Sequence, residues 1–429
     1  ATCSQQMLHD NSTTWPSWEM KYSDVAAQPY ATVDDVVSIT ASESGPLRSS
    51  FRVERQKEGS RFVQYVSMNA LNNRVDFKNE VDWQTRATML KAAFNFMFGN
   101  PKATYDISLG TIQRGNRSEG LYEVQGHQWA DVSTPAGTYG VSVLNDSKYG
   151  WDKPNNSQLR LTLIHTPGVD NSYTYQSLQD LGVNQFTYSL FPHEGNWGTA
   201  TQKAASELNQ PLTGFVTDKH AGALGRTVSF VSASTDSVSI KALKKAENSD
   251  ETIVRVYEWA GADLKDVSLT FPTDIVSARE VNGLEEPVGD VAWSGNRLTF
   301  DIGHYQPKTF AVRFAAPSAA APDKVNNTAV GLDYDADVMS YNDKRTDATG
   351  SLVSLAYPAE LVPDEVSDGN VTFRMGDRTA GHCNAVRCKG QTVRLNRAAG
   401  QNKLYVLMMS TKQGGADATF KAGDAAYTF

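Results

Sequence analysis

Cysteine is scarce: three residues in 429, too few for a disulfide framework. Cys3 is isolated, and Cys383 and Cys388 stand five apart beside His382. A structural zinc site takes about four ligands, and no second cysteine pair matches the first, so buried thiols or one local disulfide are expected there and a metal centre is not. So few cysteines suit a reducing or an oxidising compartment alike. Long apolar runs are missing too, and nothing approaches the ~18 residues of a membrane-spanning helix. Nor is there an excess of positive charge. The 40 basic and 48 acidic residues give a net charge of -8, which offers phosphate backbones nothing to hold and argues against nucleic acid as a partner. No internal repeat is visible, and helical periodicity is rare.

What the chain does have is alternation. Apolar and polar residues alternate in Leu159-Arg160-Leu161-Thr162-Leu163, in Val254 to Tyr257, in Val267 to Phe271, in Leu298 to Ile302 and in Phe310 to Phe314, the pattern of half-buried antiparallel strands. Hydrophobic residues make up 40% of the sequence, which a folded chain needs. The length exceeds the ~250–300 residues one core supports, so two or three domains are expected. The fold class is all-β, with one short helix from Thr199 to Leu208, between the Trp197-Gly198 turn and Pro211. Ala315 to Pro322, with two prolines and no large side chain, reads as a linker. A softer break falls near Ala221 to Gly225. Beyond Lys324, Val371 to Met375, Thr392 to Leu395 and Lys403 to Met408 are candidate strands.

Two strand-like stretches, Gln128 to Ser133 and Tyr139 to Leu144, lead into Asn145-Asp146-Ser147-Lys148-Tyr149-Gly150. An amide, a carboxylate, an ammonium and a phenol lie within these five residues, and a sugar hydroxyl can use all four; ordinary turn chemistry is the plainer reading. Paired carboxylates for glycoside hydrolysis would be held ~5–5.5 Å or ~6.5–9.5 Å apart. Asp146 with Asp152, and Glu80 with Asp82, are the candidate pairs, weighed against a solvated or salt-bridged face. Trp83 and Trp129, inside alternating strands, are expected in the core. Trp151, directly after the polar loop, has the better claim to a ligand through its ring face. His193 is expected to be a structural hydrogen-bonding residue.

The order of several segments resembles the alpha-mannosidases of glycoside hydrolase family 38: Leu8-His9-Asp10 through Trp18, Asp76 to Trp83, Leu90 to Phe94, Ala103 to Asp106, Gly110 to Arg114, Gln128 to Gly150, Leu159 to Pro167, Gln185 to His193, Leu208 to Leu212 and Ile240 to Lys245. That resemblance implies a galactose-mutarotase-like super-sandwich over residues 1–222 with its N-terminal edge missing. A small β-sandwich (223–314), the linker (315–322) and a C-terminal β-sandwich-like domain (323–429), truncated if its closing strand is absent, would follow. The chain starts at Ala1, inside the family's β region, and is therefore expected to be a fragment of a longer enzyme. The family's zinc, its ligands and its aspartate nucleophile belong to an N-terminal catalytic domain; no residue here matches them, and this chain is expected to bind no cofactor.

By the same resemblance, Asn145, Asp146, Ser147, Lys148 and Tyr149 become substrate-binding candidates on a loop that reaches the sugar pocket. Some relatives carry an arginine there, whose planar fork Lys148 cannot reproduce. The implied parent is a retaining, zinc-dependent alpha-mannosidase acting on terminal alpha-linked mannose, with this chain alone inactive. Its implied partners are mannose-containing oligosaccharides and the catalytic domain, with no membrane span and with homo-oligomerisation left open. Secreted, periplasmic or vacuolar/lysosomal settings rank ahead of the cytoplasm. The alternatives are a stand-alone carbohydrate-binding β-sandwich protein and a module with no ligand.

Overall fold

The computed structural model describes residues 2–170, 173–217, 227–315, 327–348, 356–368, 371–396, 401, 403–409, 417–422 and 425–428. Contacts divide the chain into two compact units, residues 1–317 and 318–429. The expected break at 221–225 and the linker from residue 316 onward lie outside the described residues.

In the first unit, alternation produces two large open antiparallel sheets. The strands are β1 (Thr2–His9), β2 (Ala31–Thr32), β3 (Val36–Ser44), β4 (Arg48–Lys57), β5 (Ser60–Asn69), β6 (Val75–Trp83), β7 (Thr88–Asn95), β8 (Lys102–Ile107), β9 (Gly110–Gly115), β10 (Val124–Gln125), β11 (Trp129–Ser133), β12 (Tyr139–Asn145), β13 (Gly150–Asn155), β14 (Gln158–Thr166) and β15 (Gly182–Glu194). One sheet runs β10-β13-β14-β7-β1-β2 and the other β3-β4-β5-β6-β15-β12-β11-β8-β9. Neither order closes on itself. Glu58 and Gly59, both at positive φ, make the two-residue turn between β4 and β5, a geometry that matches strand twist and sets their register. The sheets share one core, in which Trp83, Phe94, Tyr105, Trp151, Leu161 and Tyr188 meet.

β7 is buried on both faces. Leu90, Ala92 and Phe94 enter the main core, while Met89 packs with Leu8 and Val25 in a second cluster. Val25 belongs to the short helix α1 (Tyr22–Ala26), an element the sequence pattern did not announce. The expected helix is present as α2 (Thr199–Asn209); its Ala204 and Ala205 pack with Trp129 and Leu144.

After α2, nine shorter strands form a four-stranded and a five-stranded antiparallel sheet. Val254, Val256 and Phe310 of one meet Leu269, Leu298 and Phe300 of the other in a separate core. These strands lie where the alternation placed them, at Thr252–Glu258, Leu264–Thr270, Arg297–Ile302 and Pro307–Phe314.

The second unit has less regular structure. Ala336, Val338, Met339 and Ala359 form its small core. Val371–Arg374, within the expected strand Val371 to Met375, pairs antiparallel with Glu365–Asp368. Thr392 to Leu395 and Lys403 to Met408 are not strands. Their apolar residues, including Leu395, Leu404 and Leu407, are exposed; alternation makes a strand only where a neighbour takes up its backbone hydrogen bonds and covers one face. The cysteine expectation is also overturned, because Cys383 and Cys388 are free and exposed. Irregular backbone neither brings their sulfurs together nor buries them, and His382 instead bonds Asp377 at 2.7 Å.

Candidate functional site

The loop after β12 is locked from several directions. Asn145 is buried; its Nδ2 donates to the His127 carbonyl at 2.7 Å, and its Oδ1 accepts the amides of Ser147 at 3.1 Å and Lys148 at 2.7 Å. Its own backbone exchanges with Gln128 through Asn145 N to O at 2.9 Å, and Asn209 Nδ2 of α2 reaches the Asn145 carbonyl at 2.9 Å. Asp146 is equally committed. Both its carboxylate oxygens accept Thr187 N at 3.0 Å, and Ser147 Oγ donates to it at 2.8 Å. At the far end, Gly126 N donates to the Tyr149 carbonyl at 3.0 Å.

These bonds separate the five predicted binding residues into two kinds. Asn145 and Asp146 shape the loop, and Ser147 is tied to Asp146. Lys148 and Tyr149 carry the polar tips that remain. The Lys148 ammonium lies 5.0 Å from the Phe186 ring centroid; burial holds its pKa below the ordinary lysine range, opposed by the charges of Asp180 and Asp146. Tyr149 is 55% exposed and meets His127 edge-on at 6.1 Å. Behind His127, the Asp106 carboxylate accepts Gln128 N at 3.0 Å, and burial pushes its pKa up to about 6 against that bond and the charges of His127 and Lys241. His127, Gln128, Thr187, Asn209 and Asp106 were not legible as site residues, because each supports the loop from a distant part of the sequence through backbone or amide contacts.

Asp152 does not pair with Asp146. It is buried with Lys91 at 3.0 Å, Arg117 at 3.0 Å and Arg160 at 2.7 Å. Lys91 also bonds Glu123 at 2.6 Å. Arg160 and Arg117 donate as well to the Val25 and Ala26 carbonyls, satisfying orphan acceptors at the end of α1. Asp152 is a structural carboxylate. The Trp151 expectation fails as well: the ring is fully buried and its Nε1 donates to the Gly126 carbonyl at 3.2 Å, because Trp151 is the second residue of β13 and its side chain turns into the core. Trp83 and Trp129 are core residues, with Nε1 bonds to Thr166 and Gln202. Glu80 and Asp82 share a face of β6, and there they bond Gln185 and Gln84.

At the other end of β12, a depression of about 420 Å³ is lined by Met97, Phe98, Tyr139, Val141, Pro192 and His193. A seven-residue strand spans roughly 20 Å, so this depression is separate from the loop. His193 Nε2 faces Asp131 Oδ2 at 2.7 Å, and Asp131 also accepts Ser133 Oγ at 2.6 Å and Ser142 Oγ at 2.9 Å. Burial depresses the His193 pKa, but the Asp131 hydrogen bond and charge outweigh it and hold it above the ordinary value. A histidine pKa raised by folding adds stability below the unfolded pKa of ~6.5 and loses it as pH rises through the folded pKa. Melting temperatures followed from pH 5.5 to 8.5 are expected to fall more for the wild type than for His193→Gln; parallel curves would remove this assignment.

No group of three or more His, Cys, Asp or Glu side chains that could hold a metal ion occurs among the described residues, and no helix there is long and apolar enough to cross a membrane.

Comparison with known proteins connects the first unit to one family. The glycosyl hydrolases family 38 C-terminal domain matches residues 3–173, and the C-terminal beta sandwich domain of the same family matches residues 237–310. Residues 326–429 match an AziU2-like beta-sandwich domain. Alpha-mannosidase G of Dictyostelium discoideum is 28% identical over 321 residues, 71% of this chain and 28% of that protein. Alpha-mannosidase 2C1 of Homo sapiens is 27% identical over 311 residues, 70% and 29% respectively. The chain therefore spans less than a third of the length of these curated relatives. A glycosyl hydrolase family 38 protein from Enterococcus faecalis shares the fold with a TM-score of 0.60 and 17% identity, over 72% of this chain and 40% of that one.

Proposed function

Because this chain belongs to glycosyl hydrolase family 38 and carries C-terminal β-sandwich domains related to those of alpha-mannosidases, we propose that it is the β-rich part of a retaining, zinc-dependent alpha-mannosidase. The enzyme removes terminal alpha-linked mannose from glycans, and this part buttresses the catalytic domain and lines one wall of its sugar pocket. Among the described residues no zinc site forms; the metal and the bond-breaking groups are assigned to the catalytic domain, and no chemical step is routed through this chain. Its large domain is read as a galactose-mutarotase-like super-sandwich, supported by two open antiparallel sheets that share a core.

The observation that carries the proposal is the division of labour in the 145–149 loop. Asn145 and Asp146 spend their hydrogen bonds on fixing the backbone, while Lys148 and Tyr149 present an ammonium and a phenol. The ammonium donates to sugar hydroxyls; the phenol donates or accepts, and its ring offers an apolar face to a pyranose. A wall of this kind positions substrate, and a displacement of ~1 Å can cost ~100-fold in rate.

The test is direct. Pure chain with added zinc is expected to release no mannose from an aryl alpha-mannoside, whereas the longer polypeptide containing it releases mannose with retention of configuration. Turnover by the chain alone would overturn the assignment. Millimolar or tighter mannoside binding by the isolated chain, with an inactive longer polypeptide, would favour a stand-alone carbohydrate-binding protein.

A further inference from the structure

The residues that anchor the 145–149 loop also touch the small sandwich. Asn145 is held by one dipeptide: its Nδ2 donates to the His127 carbonyl at 2.7 Å and its backbone N to the Gln128 carbonyl at 2.9 Å. Asp106 holds that dipeptide in turn. Its carbonyl accepts His127 N at 2.8 Å and its carboxylate accepts Gln128 N at 3.0 Å. Across from Asp106 stands Lys241, on the strand Val238–Lys245, with its ammonium 5.0 Å from the Trp259 ring centroid and 6.0 Å from that of Tyr257. The two charges act on each other: Lys241 favours the ionised carboxyl, and Asp106 favours the charged amine. The groups facing Asp106 are thus His127, from the segment before β11, Lys241, and the Tyr257 phenol, whose ionisation the carboxylate opposes.

The surface beside Lys241 is fixed to the large domain. Glu258, fully buried, accepts the amides of Ala260, Gly261 and Tyr305 at 2.9 Å each and locks the turn after Trp259. Tyr305 and Thr111 share a hydrogen bond at 2.9 Å, which ties the small sandwich to β9. The Trp259 carbonyl accepts Gln202 Nε2 of α2 at 2.8 Å, while Gln202 Oε1 accepts Trp129 Nε1 at 3.0 Å. Residues seven apart return to one face of a helix, and seven residues after Gln202 the same helix ends at Asn209, whose Nδ2 reaches the Asn145 carbonyl at 2.9 Å. Two routes therefore run from the small sandwich to Asn145, one through Asp106 and one through α2.

We propose that the small sandwich sets the position of the 145–149 loop, with Asp106 and Lys241 as positioning residues. The consequence for catalysis rests on the reading that this loop meets the sugar; the coupling across the junction does not.

Hydrogen exchange on residues 1–429 tests the junction without any assay of activity. Asp106→Ala removes the acceptor of Gln128 N and is expected to cut the protection of the Gln128 and Asn145 amides about tenfold or more, the scale of a buried amide left without its partner. Asp106→Asn keeps an acceptor of the same shape and should restore protection to within about threefold of wild type. Lys241→Met keeps the stem on the two rings and removes the charge. Burial pushes the Asp106 carboxyl up to about 6, so it is ionised at pH 7.5 and mostly protonated at pH 5. Lys241→Met should therefore lower the protection of both amides about threefold at pH 7.5, the scale of a partly exposed charge pair, and leave it unchanged at pH 5. Protection untouched by Asp106→Ala, or an effect of Lys241→Met equal at the two pH values, would overturn the proposal. In the longer polypeptide, Asp106→Ala is expected to lower kcat/KM for an aryl alpha-mannoside about tenfold, and Asp106→Asn to stay within about twofold of wild type. Lost protection with kcat/KM unchanged defeats the substrate-loop reading alone; a fall in kcat/KM with protection unchanged defeats the junction alone.

Discussion

Asp152→Ala is expected to destabilise the large domain by about 3–5 kcal/mol, the usual loss when one partner of a buried ion pair is removed. The carboxylate is buried among three cations, Lys91, Arg160 and Arg117, and Lys91 is itself fully buried. Taking the carboxylate away leaves Lys91 with Glu123 and Thr162 as its remaining polar partners. It also loosens the two arginines that hold the end of α1. Urea denaturation measures the loss directly, and a change below about 1 kcal/mol, the scale of an exposed pair, would show that the network contributes no more than surface charge. The pH dependence has a definite sign. Burial raises the Asp152 pKa, but the charges and hydrogen bonds of Lys91 and Arg160 win and hold it below the ordinary carboxylate value. A carboxyl group whose pKa is lowered by folding contributes stability above its unfolded pKa of ~3.9, and the contribution is lost as pH falls through the folded value. The gap between wild type and Asp152→Ala is therefore expected to be full at pH 6 and to narrow in acid.

Asn145→Ala is expected to have the largest effect on catalysis of any substitution in the loop. In the longer enzyme it should lower kcat/KM by roughly 100-fold, the scale of a ~1 Å displacement of a positioning group. The residue contributes no free polar tip, so the effect acts through shape. Its removal leaves the His127 carbonyl without its amide donor and the amides of Ser147 and Lys148 without their acceptor. Lys148→Met and Tyr149→Ala remove tips and leave the loop fixed. If those tips hold substrate in ground state and transition state alike, they raise KM more than they lower kcat. The split is the diagnostic. If Asn145→Ala stays within about twofold of wild type, the loop does not position substrate, and the module with no ligand becomes the better reading.

Much of this was legible in the chain. Alternation at Leu159 to Leu163 or Val254 to Tyr257 marks strands wherever one sheet face is wet, and the helix after Trp197-Gly198 announces itself by composition. The polar loop at Asn145 to Tyr149 is likewise visible as a local cluster. The division within it was not, because Thr187, His127 and Asn209 are far away in sequence and act through backbone and amide groups.

The same limit explains the failures. Trp151 adjoins a polar loop in sequence yet faces the core in space, and Asp152 and Lys91 look like solvent-facing residues until α1 and the segment around Glu123 close over them. At Thr392 to Leu395 and Lys403 to Met408 the apolar pattern is present without a partner, and no strand forms. The sequence alone determined which residues alternate, and hence the all-β class and the position of the loop, because local periodicity depends on neighbours along the chain. Which face is covered, which charge is paired and which polar tip stays free were decided by the tertiary structure, because burial depends on what distant segments bring to the same place.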